Sequence, residues 1–297
     1  MDTVLIPTSP ELTESDIQLL SGYAKQLGKA RSLPRKAVRS GQNLSKKKGH
    51  GIELQEVRPY VASDEVRHMD WRVTARTGTP HTRVYTEDME HRTCIICNLS
   101  KDAYFGTQTT FISSRLVQIA ALIGWRHYQL RNPLGMITSV GHDAEVIPTI
   151  TNWQAWSERL ASLTQIINRP HGKASFSMPN QLKLKGTNVL ILSDQLQIDD
   201  INRARLARLA QHNRVHWVSL EDTNTFLIPD GVYQFNSQNT TQQISQANRD
   251  IAQQRYLEQE SHHQKLLSSI GITKLTFSVN DSPVSLVKTL LSMGVVH

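Results

Sequence analysis

From residue 93 onward, short apolar runs alternate with longer segments of helical period, and no other feature of the chain restricts its fold as strongly. The runs read TCIICNL, LGMITSV, AEVIPTI, NVLILSD, VHWVSLED and ITKLTFSV. TCIICNL and NVLILSD are almost continuously apolar, as central strands covered on both faces must be. Between them, FISSRLVQIAALIGWRHYQLR places Leu116, Ile119, Ala120, Ile123 and Tyr128 on one helix face. WQAWSERLASLTQIIN, residues 198–212 and PVSLVKTLLSMG predict further helices, the last with proline at its start, where a missing N–H costs nothing. The Gln/Asn-rich residues 234–265 predict a long surface helix from about Thr240, and Gly141-His142 a turn that makes AEVIPTI a return strand. Strands separated by helices of this length need right-handed crossovers. The expected class is therefore α/β, with a mostly parallel sheet flanked by helices.

Composition narrows the function classes. The 297 residues carry 33 Lys+Arg against 26 Asp+Glu, a formal charge of +7, concentrated in one early segment. Two cysteines cannot make a disulfide framework for a chain this long, so a reducing, cytoplasmic setting is expected. MDTVLIPTSPELTESD has neither a basic n-region nor a long apolar h-region, and no stretch reaches the roughly 18 apolar residues a membrane span needs.

Three segments are expected: residues 1–50 as an N-terminal helix and basic arm, 51–92 as a mixed extension, and 93–297 as the α/β domain. Leu12, Ile17, Leu20 and Leu27 have helical spacing, with Thr13 or Ser15 as cap. Lys25 to Lys48 holds nine Lys or Arg, including Lys46, Lys47 and Lys48, and no carboxylate. It reads as a solvated arm or as a docking segment for an acidic partner or a phosphate backbone. The absence of aromatic residues between Tyr23 and Tyr60 argues against single-strand stacking. In the extension, Ser63 or Asp64 is expected to cap a turn running into Val66, Met69 and Trp71. Thr77-Gly78 then turns the chain into the strand-like HTRVYTED.

In open α/β sheets, ligands sit at the carboxyl ends of the strands. Those ends offer Asn98, Ser100, Asp102 and Asp194, with Glu221 and Asp222 on a neighbouring strand. Oxygen donors of this kind suit a hard cation such as magnesium, though Lys101 competes with it; alternatively Asn98 and Ser100 cap the following turn. Cys94 and Cys97, three apart in one strand, point to opposite faces and read as buried and inert. His262-His263 in a polar helix reads as solvated. Motifs for nucleotide binding, nucleophile elbows and metalloproteases are missing, and no nucleophile–base pair can be named, so a non-enzymatic role is expected. Arg58, Tyr60, Asp64, Arg67, Asp70, Trp71 and Arg76 form the densest cluster. It reads as an Arg–carboxylate lattice around a tryptophan plug that braces the domain, or as a partner-binding surface.

Gly49-His50-Gly51, Glu53 and the block VRPYVASDEVRHMDWRVTARTG resemble the signature of the domain-of-unknown-function-58 family, over roughly residues 30–260. Arg58, Tyr60, Asp64, Arg67, Asp70, Trp71, Ala75 and Arg76 match it, and Ser63 replaces its usual glycine. The resemblance implies a bacterial protein with a von Willebrand factor A-like (Rossmann-like) domain. It further implies an adaptor or partner of a MoxR-type AAA+ ATPase, acting in chaperone-like assembly or maturation of a client protein. The metal-ion-dependent adhesion site of such domains begins Asp-x-Ser-x-Ser; here Asn98-Leu99-Ser100-Lys101-Asp102 stands in its place, with Asp194 as the third-loop Asp. Residues 165–187 hold no Gly-Gly-Thr loop. The implied site is degenerate, with at most weak magnesium binding and no other cofactor expected. The expectation carried forward is a protein-interaction module whose contact surface is this strand-end rim. The alternative is a nucleic-acid-binding protein using the basic arm.

Overall fold

The computed structural model describes residues 5, 9–28, 52–61, 66, 69–87, 92–106, 110–140, 143–170, 176–179, 182, 184–227, 229–235 and 240–296. In chain order come α1 (Glu14–Ala24), β1 (Ile52–Pro59), α2 (Trp71–Thr77), β2 (His81–Glu87), β3 (Thr93–Leu99), α3 (Ile112–Leu130), β4 (Leu134–Val140) and β5 (Asp143–Ile147). There follow α4 (Trp153–Ser162), β6 (Asn188–Ser193), α5 (Asp200–His212), β7 (Arg214–Glu221), β8 (Gly231–Phe235), β9 (Thr240–Ile244), α6 (Gln246–Ser269), β10 (Thr273–Ser278) and α7 (Pro283–Ser292).

The chain divides into a unit of Met1–Leu33 with His91–His297 and a unit of Pro34–Glu90. In the larger unit six strands form one sheet in the order β10-β7-β6-β3-β4-β5. All neighbours are parallel except the edge pair β4–β5. The α/β class and the return strand are as expected. β3 and β6 are buried along their whole length, which accounts for their unbroken apolar sequences. From β3 the chain crosses through α3 to β4 on one side, whereas β6 lies on the other. The strand order therefore reverses between β3 and β6, where an open sheet leaves a crevice at its carboxyl edge.

Each sheet face carries its own core. On one, α3 is buried at 14 of its 19 positions, because the sheet lies beneath it and α1, α4 and α7 pack around it. Trp156 lies against Gly124, where a Cβ would come within 2.2 Å of the indole. The other face is filled by Phe176, Leu206, Leu209, Trp217, Leu267 and Ile272. Cys94 and Cys97 fall in opposite cores, and burial pushes both thiols up to about 12, consistent with inert packing residues.

Three expectations need correction. The first is the boundary at residue 50: α1 belongs to the α/β unit. Its Thr13 and Asp16 form a reciprocal capping box. Trp125 Nε1 donates to Ile17 O at 2.7 Å, Gln129 Nε2 to Ser21 O at 2.8 Å and Leu12 N to Thr164 Oγ1 at 2.8 Å. These bonds and the burial of Leu12, Ile17, Leu20 and Leu27 seal α3 from solvent. Second, Thr240 opens a strand rather than a helix: β9 pairs antiparallel with β8, and α6 starts at Gln246 behind the cap Ser245. Third, His263 is not solvated; it is fully buried, edge-on to Trp217 with ring centroids 4.9 Å apart.

In the smaller unit β1 and β2 pair antiparallel. Within the expected turn into Trp71, Met69 N donates to Val66 O at 3.1 Å. Met69 makes an isolated bridge to Thr82, and α2 is capped by Asp70, whose Oδ1 accepts from the N–H groups of Arg72 and Val73 at 3.1 Å each. Gly78 closes the helix at φ 74°, a left-handed conformation that glycine adopts without penalty. Ser63 and Asp64 lie outside the described residues.

Candidate functional site

The crevice between β3 and β6 gathers the strand-end residues singled out above. In the parallel register Asn98 lies between Ser139 of β4 and Ser193 of β6, so a polar row closes the carboxyl edge of an otherwise apolar sheet. Asn98 Nδ2 donates to Ser177 O at 3.1 Å, and its Oδ1 accepts from Gln195 Nε2 at 2.6 Å. Ser100 N donates to Asp194 Oδ1 at 2.9 Å, and the Ser100 hydroxyl donates to Asp194 Oδ2. The same hydroxyl accepts from Asp102 N at 2.9 Å and so caps the short 3-10 turn Lys101–Ala103. The two alternatives for Ser100, site residue and cap, are thus one arrangement. Ser100 and Asp194 are bonded directly; Asn98 is held by Gln195, the residue after Asp194, and Asp102 joins through its backbone, with its side chain exposed.

Electrostatics explains the stitching. Desolvation is the largest effect on Asp194 and raises its pKa, as does the nearby Asp102 charge; the bonds from Ser100 oppose both. A buried carboxylate needs compensation, and here a hydroxyl and a backbone N–H supply it.

The donor set does not fit a divalent cation. Such ions take about six oxygen ligands, preferably with more than one carboxylate. Both Asp194 oxygens already accept bonds from Ser100, and the Asn98 oxygen is held by Gln195. Among the described residues, no three His, Cys, Asp or Glu are grouped so as to hold a metal.

Two further bonds extend the rim. Arg169 Nε donates to Lys101 O at 2.9 Å, and the Tyr104 hydroxyl donates to Leu163 O at 2.6 Å. They fasten the loop after β3 to the turn after α4. Gln195, Ser177, Tyr104 and Arg169 were not singled out from sequence. Gln195 directly follows Asp194 at the same strand tip, and that position was its only signal.

The signature cluster stands apart from this crevice in the chain. Asp64, Arg67, Lys46, Lys47 and Lys48 lie outside the described residues. Asp70 is a helix cap, Tyr60 N bonds Pro80 O at 2.9 Å, and Arg58 Nη1 reaches Pro59 O at 3.2 Å. Trp71 is 65% exposed. Arg76 sits in the last turn of α2, where a cation suits the helix dipole.

Among the described residues, no helix is long and apolar enough to cross a membrane. Comparison with known proteins finds uncharacterized proteins of Mycobacterium bovis and of two Mycobacterium tuberculosis strains, each 33% identical over 135 residues. The match covers 46% of this chain and 43% of each relative, so less than half of their length is spanned. A solved structure described as an aerotolerance-related membrane protein from Bacteroides fragilis, carrying multiple mutations to serines, aligns with a TM-score of 0.38 at 12% identity. That alignment covers 67% of this chain and 96% of the other. The model of the family described as protein of unknown function DUF58 matches residues 56–266, which include most of the signature block and the whole β3–β6 crevice, and the chain belongs to that family.

Proposed function

We propose that this protein is a non-enzymatic interaction module. In this reading a von Willebrand factor A-like α/β domain serves in the cytoplasm as adaptor or partner of a MoxR-type AAA+ ATPase that assembles or matures a client protein. One observation carries the reading: the crevice is closed by its own side chains. Ser100 is only 6% exposed, and its hydroxyl is engaged as both donor and acceptor. That hydroxyl is spent on the Asp194 carboxylate and on capping the turn after β3, so it holds the rim together. The rim is instead a rigid surface set by hydrogen bonds where a metal would otherwise sit. The strand order, with one antiparallel edge strand, supports the domain type.

Two surface depressions agree with this reading. Gln254, Leu257, Glu258, Ser261, His262 and Lys265, all of α6, line one; Asp200, Ile201, Ala204, Arg205 and Arg208, all of α5, line the other. Each is the face of a single helix rather than a cleft that encloses a small substrate.

Calorimetry with a purified MoxR-type ATPase in its ATP and ADP states tests the proposal. Stoichiometric binding in one nucleotide state, weakened by Ser100→Ala, is expected. No binding in either state, or binding indifferent to Ser100→Ala, overturns it.

A further inference from the structure

The carboxyl edge of the sheet exposes apolar surface that the fold does not use. Ile167 is 85% exposed and Ile166 49% exposed, on the turn after α4; Phe105 is 42% exposed, on the loop after β3. The two bonds described above, Arg169 to Lys101 O and Tyr104 to Leu163 O, join those segments, so the three side chains stand on one connected ledge beside the crevice. Adjacent exposed isoleucines are costly to leave in water. Singly scattered apolar side chains are ordinary, but a ledge of them beside a strand-end crevice marks an interaction site.

Charge sets the chemistry of what would cover it. Lys101 and Arg169 flank the ledge and make no ion pair among the described residues. Arg169 spends its Nε on the Lys101 carbonyl, which leaves the rest of its guanidinium for another acceptor. The Asp194 carboxylate accepts from Ser100 and makes no ion pair with either cation among the described residues.

We infer that Phe105, Ile166 and Ile167, with Lys101 and Arg169, form a docking ledge for a protein segment that presents a carboxylate beside a large apolar side chain. The apolar side chain covers the isoleucines and the carboxylate lies against the two cations. A protein segment fits better than an anionic membrane, because carboxylates stand on the same edge. Asp102 is exposed in the loop, and Glu11 Oε1 accepts from Ile166 N at 2.9 Å. A uniformly negative surface would meet both, whereas a peptide can place a single charge between them. The inference rests on the rim being a protein-contact surface, and it specifies the partner's chemistry.

The test is selection of random twelve-residue peptides on the full chain, with affinities of the selected peptides measured by fluorescence anisotropy. Enrichment of Asp or Glu next to Leu, Ile or Phe is expected, with affinity falling about tenfold or more in Ile167→Asp and in Lys101→Ala. Ile201→Asp, on the exposed face of α5, should leave it unchanged. Retained circular dichroism and thermal midpoint would show that the exposed substitutions do not unfold the chain. Lack of enrichment, or equal binding by Ile167→Asp, overturns the inference. So does Ile167-dependent binding to phosphatidylserine vesicles, or Ile167-dependent self-association in sedimentation. An ATPase that binds wild type and Ile167→Asp alike would refute the ledge and leave the adaptor reading standing. Peptide binding without ATPase binding would do the reverse.

Discussion

Buried polar groups on the two faces of the sheet, Arg115 on one and His263 on the other, are handled in opposite ways. On the α3 face, Arg115 is 1% exposed yet keeps its charge, since burial lowers its pKa only to about 10. Its Nε donates to Val279 O at 3.0 Å, and Nη1 donates to Leu5 O at 3.0 Å and to Gln118 Oε1 at 2.7 Å. It thereby ties the N-terminal segment and the chain after β10 onto α3. On the other face, His263 has no hydrogen-bond partner for either ring nitrogen among the described residues. Burial, then the nearby Lys274 and His262, push its pKa down to about 3. His216 on β7 points to the α3 face, level with Leu190 and alternating with Val215 and Trp217; its pKa is also lowered, to about 4, by burial and then by Arg214. A buried ion persists where several bonds repay its desolvation; where they are missing, the group sheds its proton. Arg115 should therefore be indifferent to mild acid, and His263 and His216 sensitive to it.

The largest effect expected is that of Arg115→Ala, which leaves two carbonyls and an amide oxygen without their donor and opens a cavity. A loss of about 3–5 kcal/mol in urea unfolding is expected, the same at neutral and mildly acidic pH. A loss that depends strongly on pH would break the comparison.

Next comes the pH response of the wild type. Both histidines have folded pKa values below the unfolded value near 6.5, so the unfolded chain takes up protons first as pH falls. Their contribution is complete above about pH 6.5 and is lost progressively toward the folded values. Lowering the pH from about 7.5 to about 5.5 should cost roughly 1 kcal/mol per histidine. Asp194, raised in the fold, acts with the opposite sign, so the informative quantity is the difference between wild type and His263→Phe. That variant should lose about half of the histidine slope; an unchanged slope would remove His263 from the account.

The smallest effect is expected from Gly124→Ala. Alanine is the better helix former by about 1 kcal/mol, yet the added Cβ collides with Trp156, and a net loss of about 1–2 kcal/mol should follow. A gain in stability would mean that the α4 side of this core yields more readily than its packing suggests.

Particular residues show how much of this was legible in sequence. β3 is legible to the residue and β6 to within one, because strands buried on both faces leave continuous apolar runs. The meeting of Ser100 and Asp194 followed from the rule that strand tips in such sheets converge. Their mutual hydrogen bonding did not, since it depends on rotamers that sequence leaves open. The β8–β9 pair was missed because TTQQI is polar and lies in a Gln/Asn-rich stretch that reads as helix or loop. His263 was misread because α6 buries only His263 and Leu267, too narrow a stripe to show as amphipathic. The docking of α1 joins residues more than a hundred positions apart, beyond any local periodicity.

The central claim is that hydrogen bonds from Ser100, rather than a cation, compensate Asp194 at the β3–β6 crevice. Titration calorimetry of millimolar magnesium into the protein tests it most directly. No stoichiometric heat is expected, and a thermal midpoint unmoved by magnesium or by chelator. A tight site of one ion per chain, abolished by Asp194→Asn, would contradict it.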